Sequence, residues 1–300
     1  MPSKSEIIGQ KLMNRVLSRN KDYGGILGEI TGAQGTGKTS VLLSLTHRTI
    51  ERNPDEKIFW REQTNAPIQI FKLGLDKINF MVPEDESVVF RDRDAKLAEV
   101  EVDPVTKFKL KEITYKIKNE DGKTKEATRI VPDYRDVYKK GQRGKANLVF
   151  FKSTYDWMEF LTSLREAGEW SNVFIDEMAD ICPSVNSGNL FKRIIKFSGT
   201  MGAVRRCMMN VFYNTQTAQD VDWKIRKKVM LMIFLPGAIK DKKSRVSQKA
   251  IDNLVRDPKN GNEAFLDMGG DFGRVRFKDI YRPVPGYHIE AHHIQDDEYE

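Results

Sequence analysis

Residues 29–45 read EITGAQGTGKTSVLLSL, and this stretch decides the fold of the chain. Its centre, residues 32–39, matches the pattern G-x-x-x-x-G-K-[ST] at every fixed position. The loop follows a short segment with the character of a buried strand, GGILGEITG, and opens a segment with helical periodicity from 40 to 52. Strand, glycine-rich loop and helix in this order are the context that a phosphate-binding loop requires.

The loop itself predicts how a nucleotide would be held. Its glycines let backbone N–H groups turn toward a phosphate, and the N-terminus of the next helix points its positive end at the same anion. Lys38 can reach the β- and γ-phosphates, and the Thr39 hydroxyl can bind Mg²⁺. We therefore expect ATP and Mg²⁺ as cofactors. The predicted nucleotide-binding residues are Gly32, Ala33, Gln34, Gly35, Thr36, Gly37, Lys38, Thr39 and Ser40.

A second motif, NVFIDE at 172–177, predicts the hydrolytic half of the site. Asp176 and Glu177 follow a buried strand, and ligands bind at the carboxyl ends of strands in an open α/β sheet. Asp176 suits the outer shell of Mg²⁺, while Glu177 is placed to polarise a water for attack on the γ-phosphate. Because acidic residues often end strands, this motif indicates a catalytic site only in combination with the phosphate loop upstream. Together they predict ATP hydrolysis rather than phosphoryl transfer to a small acceptor.

Three further residues are candidate catalytic groups. The segment VFYNTQ ends a predicted strand on Gln216, whose carboxamide can bond the γ-phosphate or the attacking water. Taken alone, Gln216 is more simply interpreted as a polar residue at the end of a strand. Arg205 and Arg206 lie between a predicted helix and that strand. An arginine there can reach the nucleotide of a neighbouring subunit, although paired surface arginines are more often only solvated.

Predicted strands alternate with predicted helices before and after residues 83–145, which differ in composition. The alternation predicts an α/β fold with a mostly parallel sheet flanked by helices. One strand–helix unit separates the two motifs, so the loop strand and the Asp-Glu strand are not expected to be simply consecutive. Residues 83–145 instead hold 16 Lys and Arg and 14 Asp and Glu, with β-rich segments and a hairpin signal at Asp121-Gly122.

We accordingly predict a RecA-like P-loop NTPase core with an inserted charged β-meander. Residues 1–82, which begin with an amphipathic helix, and 146–285 form the core, 83–145 form the insertion, and 286–300 form an acidic tail that frays at 293–300. The insertion is either a solvated decoration or a contact surface for nucleic acid or a neighbouring subunit.

Composition excludes several classes of protein. The two cysteines, Cys182 and Cys207, exclude a disulfide scaffold and a Cys-rich zinc module and fit a cytoplasmic protein. The longest apolar run, VMLMIFLPGA, is too short to cross a bilayer, so no membrane insertion is expected. A net charge of +7 is compatible with nucleic acid without indicating it.

The motifs GAQGTGKTS, VFIDE and RRCMMNVFYNTQTAQDVDWKIRKKV resemble, in order and spacing, the HerA/FtsK superfamily of hexameric DNA-pumping ATPases. The resemblance covers about 24–81 and 146–284. In that family a strand ending in Thr-Gln carries a sensor, matched here by Thr215 and Gln216. The trans arginine lies before that strand, and Arg205 is the closest match, with Arg206 second. The chain has Thr-Ala at 217–218 where the family often has Arg-Pro.

The resemblance implies a ring oligomer, hexameric as in the family, with ATP sites between subunits and double-stranded DNA through its centre. DNA would be gripped without sequence readout. The basic segments KIRKK at 224–228 and DKKSR at 241–245 are candidates for that contact, although surface lysines are usually only solvated. Genome packaging, conjugative transfer and DNA processing remain open, with a capsid, relaxase or nuclease as possible partner.

Two other functions compete with a DNA motor. One is an ATPase that drives assembly or secretion of a protein structure, such as a phage filament, without DNA as substrate. The other is a nucleotide-gated structural or regulatory module that hydrolyses slowly, against which Glu177 argues.

Overall fold

The structure of the protein is a computed structural model, which describes residues 3–18, 24–62, 69–86, 88–92, 99–101, 105–118, 124–257, 261–278 and 287–291. The predicted hairpin turn at Asp121-Gly122 and the predicted frayed tail at 293–300 lie outside these residues. No helix within the described ranges has the length and apolar character needed to cross a membrane.

Seven helices and fifteen strands are formed in the described part of the chain. The helices are α1 (Lys4–Leu17), α2 (Lys38–Arg52), α3 (Tyr134–Lys140), α4 (Thr154–Ser163), α5 (Gly188–Ala203), α6 (Trp223–Arg226) and α7 (Gln248–Asp252). The strands are β1 (Leu27–Thr31), β2 (Lys57–Arg61), β3 (Ile78–Pro83), β4 (Val88–Asp92), β5 (Glu99–Glu101), β6 (Thr106–Phe108), β7 (Leu110–Lys118), β8 (Thr124–Pro132), β9 (Ala146–Val149), β10 (Ser171–Ile175), β11 (Met209–Thr215), β12 (Leu231–Phe234), β13 (Asn262–Met268), β14 (Asp271–Phe277) and β15 (Tyr287–Ala291).

A ten-stranded sheet forms the centre of the molecule, in the order β14-β13-β12-β1-β11-β10-β2-β9-β3-β6. Every neighbouring pair from β12 to β6 is parallel, whereas β13 is antiparallel to both of its neighbours. Strand β11 lies between the loop strand β1 and the Asp-Glu strand β10. The predicted α/β fold, and the predicted separation of these two strands, are therefore confirmed.

Helices cover both faces of this sheet because its central strands are apolar on both sides. Strands β1, β2, β10 and β11 are buried at every residue. One hydrophobic cluster joins the sheet to α1 and α2, and includes Leu12 and Leu43. A second joins the opposite face to α4 and α5, and includes Phe160 and Phe197. Burial on both faces is what a parallel sheet requires.

Local chemistry sets where the helices begin. Ser153, predicted as the N-cap of α4, accepts a hydrogen bond from the N–H of Tyr155. Helix α2 begins at Lys38, two residues before the predicted start, because the phosphate loop closes directly into the helix through Gly37. The φ of Gly37 is 91°, and a side-chain carbon there would lie 2.5 Å from the amide nitrogen of Asn262, so only glycine fits.

The segment 83–145 is β-rich, as predicted, and joins the core at two adjacent strands. The chain leaves the sheet after β3 and returns in β9, which pairs in parallel with β3. Within the segment, β6 adds an edge strand to the core sheet, and β7 and β8 form an antiparallel hairpin of nine residue pairs. Strands β4 and β5 form a separate sheet with β15.

Candidate nucleotide site

The predicted site residues of β1, β10 and β11 meet at one edge of the sheet. The three strands run parallel and in register, with Thr31 opposite Thr215 and Ile175 opposite Tyr213. Each strand ends at this edge, so the glycine-rich loop, Asp176 and Glu177, and Gln216 follow side by side. This is the position where open α/β sheets bind ligands.

The loop is closed around its own lysine. The ammonium of Lys38 donates to the carbonyl oxygens of Gly32 at 3.0 Å and Ala33 at 3.1 Å. Gly35 and Gly37 have φ values of 74° and 91°, a left-handed backbone that turns N–H groups inward. Burial lowers the pKa of Lys38, while the nearby carboxylates of Glu177 and Asp176 oppose that shift.

The two predicted metal residues are in direct contact. The Thr39 hydroxyl donates to Oδ1 of Asp176 at 2.9 Å, and the Asn214 amide donates to the same oxygen. Burial raises the pKa of Asp176, and these two hydrogen bonds oppose it. Among the described residues there is no group of three or more His, Cys, Asp and Glu that could hold a metal. A hydroxyl backed by one carboxylate fits Mg²⁺, which keeps water and phosphate oxygens as most of its ligands.

Glu177 is held in a conformation that is rare for a residue with a side chain. Its φ is 72°. The backbone N–H donates to Oδ1 of Asn214 at 2.8 Å, and its carbonyl accepts from Nη1 of Arg61 at 3.1 Å. Burial raises the pKa of the Glu177 carboxyl to about 7, with the charges of Asp180 and Asp176 adding to the shift. Such local strain clusters at functional sites.

Two of these supporting residues were missed by sequence reasoning. Arg61 ends β2 and is 4% exposed, and its guanidinium also contacts the carbonyl of Asp176 and the carboxylate of Asp180, each at 3.1 Å. Asn214 is the next-to-last residue of β11, near the site, and is 3% exposed. The available signal was a polar or charged residue near the end of an otherwise apolar strand, in KIFWRE and in VFYNTQ.

A third carboxyl, Glu62, was also not predicted. It follows Arg61 directly, and its Oε2 accepts from the indole N–H of Trp60 at 2.9 Å. Burial raises the pKa of Glu62 to about 8, and the charge of Asp176 adds to that shift. The negative charge of Asp176 therefore favours the neutral form of the Glu62 carboxyl.

Gln216 and the two predicted arginines are placed very differently. Gln216 is exposed directly after β11, at the same edge as the loop. Arg205 and Arg206 are exposed in the 3₁₀ turn Val204–Cys207, just before β11 begins. The seven residues of β11 therefore separate them from the site edge, roughly 20 Å at about 3.3 Å per residue. The structure does not bring either arginine to its own phosphate loop.

A different arginine lies beside the loop. The Nη1 atom of Arg256 is 3.8 Å from the position that a side-chain carbon on Gly35 would occupy, and the Arg256 side chain is exposed. No pattern in the local sequence LVRDPKNG indicated this contact, because Arg256 lies 221 positions after Gly35 and only the tertiary fold brings them together.

The glycine-rich loop, the contact between Thr39 and Asp176, and the strand order together define a P-loop NTPase fold of the RecA-like type. The solved structure of the bacterial conjugative coupling protein TrwBdeltaN70, in its unbound form, is similar with a TM-score of 0.50 at 13% identity, over 93% of each chain. The genome packaging NTPase B204 from Sulfolobus turreted icosahedral virus 2, in complex with sulfate, is similar with a TM-score of 0.48 at 9% identity, over 84% of this chain and 96% of that chain.

The structural similarity shows the fold alone, and it confirms the RecA-like P-loop core that the sequence predicted. No protein-family model matches the chain, and no curated protein matches it by sequence.

Proposed function

We propose that the protein hydrolyses ATP and uses the energy to translocate double-stranded DNA as a ring oligomer. The observation that carries the proposal is a continuous hydrogen-bonded chain from Thr39 through Asp176 and Asn214 to Glu177. This chain links the loop that would hold the phosphates to the backbone N–H of Glu177, the residue whose carboxyl would activate water.

In the proposed complex the backbone N–H groups of residues 32–40 surround the β-phosphate. Lys38 exchanges its loop carbonyls for phosphate oxygens, which is favourable because burial makes its ammonium costly without a strong anionic partner. Thr39 and Asp176 would hold Mg²⁺, which neutralises charge on the phosphates when bound.

Hydrolysis then needs a positioned base. The Glu177 carboxylate would take a proton from water as the water oxygen bonds to the γ-phosphorus and the bond to the ADP oxygen breaks. The strained backbone of Glu177, fixed by Asn214 and Arg61, keeps that carboxyl at the edge of the sheet. Gln216 would bond the attacking water or the γ-phosphate.

The positions of Arg205 and Arg206 support the proposed ring. Arg205 and Arg206 are exposed at the far edge of the sheet, so they would serve the nucleotide of a neighbouring subunit rather than their own. An arginine supplied in trans stabilises the charge of the transition state and couples turnover to assembly. A hexamer is the ring size that the family resemblance favours.

DNA is the substrate that the shared fold favours. The structurally similar TrwBdeltaN70 is a conjugative coupling protein by its description, and the net charge of +7 is compatible with a nucleic-acid substrate. Packaging and conjugative transfer are both compatible with this assignment, as is a capsid, relaxase or nuclease partner. We also propose that 83–145 is an insertion into a core made of 1–82 and 146–285, because β3 and β9 are adjacent.

The test is steady-state ATP hydrolysis with and without long double-stranded DNA, at low and moderate salt. Lys38→Ala provides the blank, and Glu177→Gln should bind ATP but hydrolyse it at least a hundredfold more slowly. We expect stimulation by DNA that weakens as salt rises. Hydrolysis that is indifferent to DNA at both salt concentrations would reject the DNA motor in favour of an assembly ATPase.

A further inference from the structure

Helices α5 and α6 together expose a surface that the nucleotide site does not use. We name it the α5–α6 strip. Its members alternate aromatic or aliphatic side chains with lysines, and they are Phe191, Lys192, Ile195, Lys196, Trp223, Lys224, Lys227 and Lys228. The apolar members are well exposed, with Trp223 at 60%, Ile195 at 46% and Phe191 at 40%. Exposed apolar side chains grouped in this way mark a contact surface.

Two lysines of the strip lie against its aromatic rings. The ammonium of Lys227 is 4.2 Å from the ring centre of Trp223, and that of Lys224 is 4.2 Å from the ring centre of Phe191. Lys228 lies along the C-terminal half of α5, 3.4 Å from the position of a side-chain carbon on Gly202. The rings therefore hold two ammonium groups in defined positions.

The sequence segments that form this surface carry only positive charges. Residues 188–210 contain five Lys and Arg and residues 223–230 contain four, and neither stretch contains Asp or Glu. Two carboxylates reach the strip from elsewhere, Glu159 to Lys196 at 3.2 Å and the buried Asp222 to Lys224 at 3.3 Å. Within the described part of the chain no carboxylate pairs with Lys192, Lys227 or Lys228.

Both strand ends of the nucleotide site lead directly into the strip. Residues 178–187 connect Glu177 to α5, and residues 217–222 connect Gln216 to α6. The two connections are bonded to each other, since the N–H of Ser184 donates to the carbonyl of Asp220 at 2.8 Å and the N–H of Asp222 donates to the carbonyl of Cys182 at 2.9 Å. The two connections therefore form one hydrogen-bonded unit between the nucleotide site and the strip.

We propose that the α5–α6 strip binds the phosphate backbone of double-stranded DNA, next to the two connections that join it to the nucleotide site. The proposal rests on the proposed function and identifies the surface that grips the substrate. A polyanion is the partner because unpaired ammonium groups covered by an uncharged surface would lose hydration without compensation. Lysines in a row contact successive phosphates without reading bases.

The test compares two variants that each lose three exposed lysines. The strip variant carries Lys192→Ala, Lys227→Ala and Lys228→Ala, and the matched control carries Lys4→Ala, Lys11→Ala and Lys249→Ala, on α1 and α7. Binding of a fluorescent DNA duplex is measured by anisotropy across a salt series. Thermal unfolding and circular dichroism verify that both variants fold as the wild type does.

Each phosphate contact adds about 0.9 to the slope of log affinity against log salt. The strip variant should therefore lose about 2 to 3 from the wild-type slope, and the control should lose none. If the strip variant has the wild-type slope, the strip does not bind DNA, and the proposed function as a DNA motor is unaffected. Wild-type protein that neither binds the duplex nor responds to DNA in ATP hydrolysis would instead overturn the proposed function, and the strip with it.

Discussion

The side chain of Asn214 fixes Glu177 in place: its Oδ1 accepts the backbone N–H of Glu177 at 2.8 Å, while its amide donates to Asp176. One amide therefore sets the spacing between the proposed metal carboxylate and the proposed base. Because the N–H of Glu177 belongs to a residue with φ of 72°, losing its acceptor would release a strained backbone as well as leave a buried donor unpaired.

Replacing Asn214 should therefore damage turnover more than nucleotide binding. We expect Asn214→Ala to lower kcat for ATP hydrolysis by about 10- to 100-fold, with the affinity for ATP changed much less, because misplacing a catalytic group by about 1 Å costs about that much. The measurement is steady-state kinetics together with binding of a fluorescent ATP analogue.

Asn210 supplies the matched control for this variant. It is equally buried on the same strand, but its amide bonds Ile26 and Asn172 at the far end of β11. Asn210→Ala should lower the unfolding temperature and leave kcat of the folded protein close to the wild-type value. Equal loss of kcat in both variants would mean that Asn214 acts only through stability.

The proposed trans role of Arg205 predicts complementation between inactive subunits. Arg205→Ala and Lys38→Ala should each abolish hydrolysis alone. When mixed into one ring, a subunit with an intact loop can sit beside a neighbour with an intact Arg205, so activity should return to a fraction of the wild-type value. The measurement is ATP hydrolysis of mixed subunits over a range of ratios.

A mixture of Lys38→Ala with Glu177→Gln tests the interpretation, because both residues belong to the same subunit's site. No ratio of these two variants should restore activity. If Arg205→Ala is active alone, or if its mixture stays inactive, the experiment is repeated with Arg206→Ala. Failure of both arginines would reject a trans site built on this turn.

Glu29 should make stability depend on pH. This carboxyl lies buried in β1 and accepts from the Tyr213 hydroxyl at 2.8 Å, and burial raises its pKa to about 7. A raised folded-state pKa gives stability that is complete below the unfolded value of about 4.5 and is lost as pH rises through about 7. Glu29→Gln removes that loss, since glutamine stays neutral.

The difference in unfolding free energy between Glu29→Gln and wild type should therefore shift toward the variant by roughly 2–3 kcal/mol between pH 5 and pH 8. Urea denaturation at four pH values measures it. Other buried carboxyls titrate in both proteins and cancel in the difference. A difference that stays constant over this range would show that Glu29 does not titrate there.

Arg256 should contribute to ATP binding through its position beside Gly35. A charge-assisted contact with phosphate contributes about 1.5–3 kcal/mol, so we expect Arg256→Ala to raise KM for ATP about tenfold or more, with Arg256→Lys in between. Arg165→Ala, an exposed arginine on the 3₁₀ turn after α4, is the matched control. Wild-type KM in Arg256→Ala would remove this residue from the site.

Much of the core fold could be predicted because its signals are local. The phosphate loop, the apolar strands that end in Asp-Glu and Thr-Gln, and the capping serine of α4 each depend on a few consecutive residues. The antiparallel pair β13 and β14 was not predicted, although both strands belong to the core sheet. Their sequence, NEAFLDMGGDFGRVRF, mixes charged and apolar residues, and its burial depends on packing against α1.

The sequence by itself determined the phosphate loop and the pair of carboxyl residues at a strand end. Each motif consists of consecutive residues, so it can be identified without knowledge of the tertiary fold. Only the tertiary structure decided what surrounds them. Arg61, Asn214 and Arg256 reach the site from distant positions, and Arg205 falls at the opposite edge of the sheet. Strand order sets these distances, and strand order is a property of the packed sheet.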